Sequence, residues 1–361
     1  MSDAALGAPT RNDPILARAA VLLPGLALLF AVGYAGKLTE QAILAWGRAH
    51  HTPVPDIEYV LWAILYGLAI TNLVGIPRVF RAGVATYEFW LKLGIVLLGV
   101  RFLLGDVARL GGTSLLLVAA ELASSILIMT WLGTRFGLRP KLVSLLAIGS
   151  SICGVSAIIA ARGAIRAEDE DVGLAIGAIL LLGAVSLLMF PVVGHLVGMG
   201  DHAYGLWVGL AVDNTAEATA AGAIFSDEAA RYAVLAKTTR NATIGFVVLG
   251  YALYWAARGE GQRIGNKAAF LWQKFPKFVL GFLVLSLLAT VGAFTKAQTA
   301  DLAALSRWAF LLTFAGVGLS TDFSKLRAQG WRPLMVAISG MAAIAVLTFA
   351  AVLAADRGGF L

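Results

Sequence analysis

Ionisable and amide side chains interrupt an otherwise apolar stretch at residues 209–222. Asp213, Asn214, Thr215 and Glu217 all lie within it. Asp213 and Glu217 are four residues apart, so their carboxylates share one face of a helix. Charged groups at bilayer depth are energetically costly and mark proton, ion or substrate sites. We therefore predict that the two acids bind H⁺ or Na⁺, with Asn214 and Thr215 contributing to a substrate site.

The next apolar segment carries bases at matching positions. Lys237 and Arg240 are three residues apart, and Asn241 follows directly. Lys237 and Glu217 are each ten residues from Asp227, which marks a short turn between the segments. An acid and a base therefore lie at the same depth in the bilayer. We predict that Asp213 or Glu217 is within ion-pair distance of Lys237 or Arg240. Asn241 joins the two acids as a candidate ligand of H⁺ or Na⁺. The alternative is a permanent structural ion-pair cluster.

A second polar interruption occupies residues 149–156 of another apolar segment, with the sequence GSSICGVS. Glycine weakens a helix, and lipid cannot hydrogen-bond the backbone groups that a break frees. We predict non-helical backbone here, with the helix resuming towards Ala161. The alternative is a seam of small residues that lets two helices approach closely. The candidate substrate-binding residues of this stretch are Gly149, Ser150, Ser151, Cys153, Gly154 and Ser156.

The composition indicates a polytopic helical membrane protein. The chain is 59% hydrophobic and 14% charged, whereas soluble proteins carry about 25% charged residues. A net charge of +7 is compatible with nucleic-acid binding. The basic residues lie in short loops between apolar segments, however, which positive cytoplasmic loops explain better. We expect the lipid bilayer as a partner and no nucleic acid.

The predicted fold is all-α, with about eleven transmembrane helices in one integral membrane domain, residues 1–361. An N-terminal span and outer loop occupy residues 1–57, and two halves follow at 58–199 and 200–361. Span lengths are those expected for a hydrocarbon core of about 30 Å. The candidate spans lie near 15–35, 58–76, 89–105, 113–134, 142–162, 172–199, 203–224, 230–256, 276–294, 305–321 and 333–354.

The distribution of basic residues predicts the orientation. With the N-terminus inside, the inside loops hold sixteen Lys and Arg residues and the outside loops nine. In this topology Arg139 and Lys141 are inside, whereas Arg162 and Arg166 are outside. The positive-inside rule then predicts a cytoplasmic N-terminus and an external C-terminus in a bacterial cytoplasmic membrane.

Two pairs of segments resemble each other. The segment at 59–75 parallels 278–292, and 99–102 parallels 316–319, at offsets of 219 and 217. The related spans are seven apart in this count, so they run in opposite directions. The sequence therefore predicts inverted repeats, a common architecture of transporters.

Signatures of catalysis are missing from the sequence. It contains no HExxH, GxSxG, CxxC or glycine-rich nucleotide loop, and these are the patterns that common enzyme chemistries require. We predict that the protein is not an enzyme and uses no cofactor or metal. Its lone cysteine, Cys153, excludes an intrachain disulfide.

Several stretches resemble the YeiH-type membrane proteins, which are described as sulfate exporters. They are GIVLLGVRFLLGDVARLG at 94–111, GSSICGVSAI at 149–158 and the spaced GLAV, AAG and K..R of residues 209–240. The resemblance covers nearly the whole chain after Tyr59. It implies kinship with bile-acid/sodium symporters and cation/proton antiporters, and hence inverted repeats and discontinuous helices at the midplane. The family often has a His–Asp pair and a later Gln where this chain has Asp213, Asn214 and Glu217.

We therefore expect a secondary transporter of a small anion, such as sulfate or a sulfonate-like compound. A half-helix starting near Gly154 would point its positive end at the anion. Lys237 and Arg240 would supply further positive charge, and Asp213 and Glu217 would take H⁺ or Na⁺. One alternative is a Na⁺- or H⁺-coupled symporter of an organic anion. Another is a channel-like or sensory membrane protein, and a homodimer is compatible with each.

Overall fold

The computed structural model describes residues 15–50, 59–102, 104–262, 264–322 and 331–358. Within these ranges it describes the backbone throughout and the side chains of all residues except 15–20 and 104–114. Throughout this part of the chain the regular structure is helical. Two compact units are formed, one by residues 1–101 and 292–323 and the other by 102–291 and 324–361. We call them unit 1 and unit 2.

Six of the described helices are long and apolar enough to cross a membrane. A seventh span results if Lys267–Lys274 and Lys277–Thr290, which meet at a 70° bend, are counted together. The all-helical membrane fold is thus confirmed, but by this criterion there are fewer spans than the eleven that we predicted. The six helices are Val21–Ala49, Arg78–Arg101, Leu115–Arg135, Asp169–Val197, Lys296–Ser320 and Trp331–Arg357.

Unit 1 contains five α-helices of the described chain. A π-helical turn, Ile70–Val74, extends the second of them, and a 3₁₀ turn, Gly99–Arg101, extends the fourth. The helices are α1 (Ile15–Ala49), α2 (Tyr59–Ala69), α3 (Arg78–Val84), α4 (Tyr87–Leu98) and α15 (Lys296–Ser320).

Glycines bring the helices of unit 1 into close contact. A Cβ on Gly67 of α2 would lie 2.8 Å from the Cα of Gly318 in α15, so neither position tolerates a larger residue without a shift. Close backbone approach at small residues is the usual way in which membrane helices associate. Thr71 adds a hydrogen bond across the same contact, from its hydroxyl to the carbonyl of Leu319 at 2.8 Å.

Unit 2 contains the two polar interruptions that the sequence analysis singled out. One apolar cluster among its described residues is formed mainly by α6, α7, α8 and α12. The helices are α5 (Leu104–Arg135), α6 (Pro140–Ser151), α7 (Val155–Ile165), α8 (Asp169–Val197), α9 (Asp201–Ala211), α10 (Thr215–Phe225), α11 (Asp227–Ala242), α12 (Ile244–Ala257), α13 (Lys267–Lys274), α14 (Lys277–Thr290) and α16 (Trp331–Arg357).

Helices α6 and α7 form a hairpin, because the start of α6 and the end of α7 lie side by side. The ammonium of Lys141 donates to the carbonyl of Arg166 at 3.1 Å. Arg139, just before α6, forms an ion pair of 2.8 Å with Asp171 at the start of α8. At about 1.5 Å per residue the twelve residues of α6 reach about 18 Å inward. The chain therefore enters the helical bundle at Pro140 and returns to the same end.

Helices α9 and α10 form a second hairpin. The hydroxyl of Ser226, after α10, donates to Asp201 at the start of α9 at 2.6 Å. Tyr204 donates to the carbonyl of Ala221 at 3.2 Å. Between the two hairpins runs α8, whose 29 residues span about 43 Å. The hairpins therefore enter from opposite ends of unit 2.

The two ends of unit 2 differ in charge. One end, which we call the basic end, gathers the loops around α6, α7 and the C-terminus of α12, since Lys141 lies 3.8 Å from Glu260. The basic end also carries acids, at residues 168–171 and 260, whereas the opposite end, at residues 198–201 and 226–228, carries acids and no Lys or Arg. Six cations belong to the basic end, namely Arg135, Arg139, Lys141, Arg162, Arg166 and Arg258.

Two of the predicted spans are therefore wrong, those at 142–162 and 203–224. Each is a re-entrant hairpin that does not cross the bundle, and Arg162 and Arg166 consequently lie at the same end as Arg139. Hydropathy cannot distinguish a straight span from a hairpin of the same length, because both bury the same apolar residues. Removing two crossings leaves the sidedness of the chain ends unchanged.

The internal repeat remains a prediction. The segment at 59–75 belongs to unit 1, whereas nearly all of 278–292 belongs to unit 2. The two halves that we predicted, 58–199 and 200–361, each contribute to both units.

Candidate functional site

The first hairpin turns at its predicted break. Helix α6 ends at Ser151 and α7 begins at Val155, so the break has three residues where we predicted up to eight. Gly154 has φ +68°, a backbone conformation that glycine adopts readily. A Cβ on Gly154 would also lie 2.9 Å from Ile179 Cγ2 in α8. The break is confirmed, and glycine is required at its tip.

The second hairpin turns at Val212–Asn214. Its backbone is extended at Val212 and Asn214, and the side chain of Asn214 caps α10 by accepting from the amide of Ala216 at 3.0 Å. The two tips meet, because a Cβ on Gly154 would lie 3.6 Å from the Cα of Asn214. The polar interruptions, separated by about 60 residues of sequence, form one site within unit 2.

Arg240 lies between the two tips and is fully buried. Its Nε donates to the carbonyl of Ser151 at 2.8 Å, and Nη2 donates to that of Ser150. Nη1 donates to the carbonyls of Leu210 at 2.5 Å and Val212 at 3.3 Å. One guanidinium thus satisfies the terminal carbonyls of both α6 and α9, which have no partner within their own helices. Its charge also opposes the negative ends of the two helix dipoles.

Lys237 binds the second of these tips. It is fully buried, and its ammonium donates to the carbonyl of Val212 at 2.6 Å. Lys237 and Arg240 are three residues apart, so α11 presents both cations from one face. Arg240 is also about 21 Å along α11 from Ser226, close to half the length of α8. Both cations are therefore near the middle of the bundle, where they bind backbone carbonyls.

Two carboxylates accompany Arg240. Glu121 Oε2 of α5 lies 3.0 Å from Arg240 Nε, and Asp213 Oδ1 lies 3.9 Å from Arg240 Nη2. The predicted acid–base pairing is thus confirmed, with Asp213 at the limit of ion-pair distance. Sequence reasoning missed Glu121, although a lone acid within the predicted span 113–134 is itself a signal of a polar site.

Glu217 faces α8. A Cβ on Gly183 of α8 would overlap its carboxylate, so the glycine makes room for the acid. Glu217 Oε2 and both oxygens of Asp213 have no hydrogen-bond partner in the described part of the chain, although Ser150 lies close to Asp213. Buried polar atoms without partners are rare and call for a reason. A bound proton or a small ligand would explain why these carboxylate oxygens lack a partner.

Hydroxyl and amide groups complete the buried part. Asn241 donates to the Thr215 hydroxyl at 3.0 Å. Its amide oxygen has no partner among the described residues. Ser150 accepts from Ser125 at 3.1 Å, and Ser151 donates to the carbonyl of Ile148. The two serines that end α6 therefore make hydrogen bonds within the core.

Three predicted site residues are accessible. Cys153 and Asn214 are partly exposed and Ser156 is exposed, whereas Gly149 and Thr215 are buried. The accessible residues belong to the tips and to the N-terminal ends of α7 and α10. Within the described chain no group of three or more His, Cys, Asp or Glu residues is arranged to hold a metal ion. The accessible residues therefore lie at helix N-termini, whereas the two bases are fully buried.

Comparison with known proteins identifies relatives along the whole chain. Residues 24–337 match the family described as Conserved hypothetical protein 698. A UPF0324 membrane protein of Nitratidesulfovibrio vulgaris is 35% identical over 360 residues, which cover 98% of this chain and 99% of the relative. A UPF0324 membrane protein of Agrobacterium fabrum is 31% identical over 333 residues, covering 92% and 93%.

A third relative is longer than this chain. A UPF0324 membrane protein of Rhodopirellula baltica is 34% identical over 318 residues, which cover 81% of this chain but only 56% of the relative. No solved structure matches the chain. By its match over residues 24–337 and its full-length relatives, the protein belongs to the family Conserved hypothetical protein 698, together with the UPF0324 membrane proteins.

Proposed function

We propose that the protein is a secondary active transporter of a small anion in the bacterial cytoplasmic membrane. The observation that supports this most directly is the meeting of two re-entrant hairpin tips around buried charges. Secondary transporters bind substrates and coupling ions near the midplane at interrupted helices. The resemblance to YeiH-type proteins adds the substrate class, sulfate or a sulfonate-like compound, and the direction, export.

The N-terminal end of α7 is the best-suited place for the anion. Gly154 offers no side chain to cap this helix. The amide of Ala157 donates to the Gly154 carbonyl, which leaves the amides of Val155 and Ser156 as the groups without a partner inside the helix. The exposed Ser156 hydroxyl and the partly exposed Asn214 lie beside it. Helix N-termini bind anions because free amides and the positive dipole end act together. Arg240 and Lys237 then contribute indirectly, because their hydrogen bonds to backbone carbonyls fix the positions of the hairpin tips.

We propose H⁺ as the coupling ion. In transporters with broken helices, C-terminal helix ends and unwound carbonyls commonly coordinate Na⁺. Here Arg240 and Lys237 donate to those carbonyls already. Three acids, Glu121, Asp213 and Glu217, are buried in the same unit as these two bases, and Glu121 and Asp213 lie within 4 Å of Arg240. Because an uncompensated buried charge is strongly destabilising, the cluster holds one proton when the site is empty.

The proposed orientation places the basic end of unit 2 in the cytoplasm, because short loops rich in Lys and Arg remain there. The N-terminus is then cytoplasmic and the C-terminus external, in a fold of inverted repeats whose re-entrant hairpins replace two of the eleven spans. Single cysteines at Gly259 and at Gly358, in a Cys153→Ser background, test the sidedness. A membrane-impermeant maleimide applied to intact cells should label only the second, and labelling of the first would reverse the assignment.

The function is tested with purified protein in liposomes loaded with a pH-sensitive dye. We expect an outward or inward sulfate gradient to drive proton movement, with no requirement for Na⁺. Organic sulfonates and carboxylates are compared as competitors in the same assay. Anion flux that moves no protons and shows no saturation would indicate a channel, whereas a strict Na⁺ requirement would favour the organic-anion symporter. Failure of every anion to move would refute the proposal.

A further inference from the structure

A groove on the surface of unit 2 opens between α5, α6 and α12. Its volume is about 450 Å³, within the usual range of about 300–1,000 Å³ for ligand sites. The part furthest from the basic end is apolar and is lined by Ile126 and Val247. Gly250 of α12 keeps the groove open, because it is exposed and a Cβ there would meet no atom within 4 Å. The groove is thus a slot of molecular width along membrane helices.

The other part of the groove is aromatic and polar. Trp255 is buried and donates through its indole nitrogen to the Ser144 hydroxyl at 3.1 Å. Tyr254 is 48% exposed, and Thr134 lies opposite it at the end of α5. Tyrosine and tryptophan at such positions mark the interface between hydrocarbon and headgroups. The groove therefore runs from headgroup depth at the basic end into the hydrocarbon.

Two arginines lie next to lining residues at the basic end of the groove, which we call its mouth. The guanidinium carbon of Arg258 lies 4.4 Å from the centre of the Tyr254 ring, and Arg135 directly follows Thr134. Neither arginine has a carboxylate partner within 4 Å in the described ranges, whereas Arg139 nearby has three. The mouth thus has positive charge that the protein does not neutralise.

We propose that this groove binds an anionic phospholipid, with one acyl chain along Gly250 and the phosphate between Arg135 and Arg258. The apolar part of the groove would bury an acyl chain, and Tyr254 and Trp255 would contact the glycerol region. The positive charges of the two arginines would attract the phosphate. Basic pockets between membrane helices on the cytoplasmic side recognise anionic headgroups in this way. The site is separate from the hairpin tips and does not depend on which solute the protein transports.

The test measures lipid binding by native mass spectrometry of the full chain in detergent. Phosphatidylglycerol and phosphatidylcholine with identical chains are compared. One cation near an anionic lipid changes affinity about fivefold, so we expect a preference of at least about tenfold for phosphatidylglycerol. Arg135→Gln with Arg258→Gln should reduce the preference to near one. Gly250→Leu should weaken the binding of both lipids by filling the slot.

Two matched variants serve as controls. Gly173→Leu changes an exposed glycine of α8 that also has no atom within 4 Å, and Arg357→Gln removes an exposed arginine at the end of α16. Both should keep the preference of the unaltered chain. Equal binding of the two lipids by the unaltered chain, or equal losses in the controls, would show bulk lipid contact only and overturn the proposal. Glycerol phosphate binding as tightly as the intact lipid would likewise overturn the role of the slot.

Discussion

Replacing Arg240 with methionine is the sharpest test of how the hairpin tips are held together. The change preserves most of the side-chain volume but removes the charge and every donor. Four tip carbonyls would lose a donor, and Glu121 and Asp213 would lose their closest cation. Removing one partner of a buried ion pair costs about 3–5 kcal/mol. This free energy is a lower bound, because the buried carbonyls that lose their donor add a further cost.

The expected change in melting temperature follows from the size of unit 2. For domains of 150–250 residues, about 1 kcal/mol corresponds to about 2–4 °C, so Arg240→Met should lower the Tm by about 6–20 °C or prevent folding. The assay is thermal unfolding in detergent, followed by intrinsic fluorescence and size-exclusion chromatography. Arg240→Lys should recover only part of the loss, because one ammonium cannot reach all four carbonyls in the guanidinium geometry.

Arg139→Met provides the matched control. Arg139 has three carboxylate neighbours, Glu168, Glu170 and Asp171, but its side chain is 45% exposed. The hydrogen bond to Glu170 raises the pKa of Arg139 further above its ordinary value, so the guanidinium stays charged throughout the assay. The pairs with the exposed Glu168 and Glu170 contribute about 0–1 kcal/mol. The pair with Asp171, whose side chain is only 3% exposed, adds to this, so we expect a Tm loss that is clearly smaller than that of Arg240→Met. An Arg240→Met variant as stable as Arg139→Met would refute the reasoning.

Three further predictions concern transport. Gly154→Leu should abolish anion flux while membrane insertion continues, because φ +68° and Ile179 exclude a side chain, whereas Gly163→Leu on the open face of α7 should transport normally. Lys237→Met should reduce stability, because the Val212 carbonyl loses its donor, whereas Glu217→Gln should fold but lose proton-coupled flux. Normal proton-coupled flux in Glu217→Gln would show that this acid is structural only. Transport should be electroneutral, so a K⁺ diffusion potential imposed with valinomycin should leave the initial rate unchanged.

Local sequence predicted the break and the ion pair because each depends on nearby residues. Glycine at the tip of the first hairpin and acids at helical spacing are visible without knowledge of the fold. The pairing of Asp213 with Arg240 also followed from counting residues outward from the turn near Asp227. There Ser226 ends α10 and caps α11 by accepting from the amide of Ala229.

Two features could not be predicted because they depend on contacts distant in sequence. The reversal of α6 and α7 is defined by contacts such as Lys141 with Arg166, which a hydropathy profile does not contain. The partners of Arg240 include carbonyls about 90 residues away, and backbone atoms leave no signature in residue types. We expected Arg240 to face the anion because the sequence shows the position of a cation within a helix. It does not show which acceptor atoms that cation contacts.

Helix ends explain why cations at the tips are compatible with an anion site. Each helix end carries roughly half a charge, negative at the C-termini of α6 and α9 and positive at the N-termini of α7 and α10. Arg240 supplies one positive charge to the two negative ends and satisfies their carbonyls. No side chain caps the positive end of α7 at Gly154. In the proposed function, the charge that an anion brings to this end is offset by protons that bind the buried acids Glu121, Asp213 and Glu217. Coupling of this kind would make transport electroneutral.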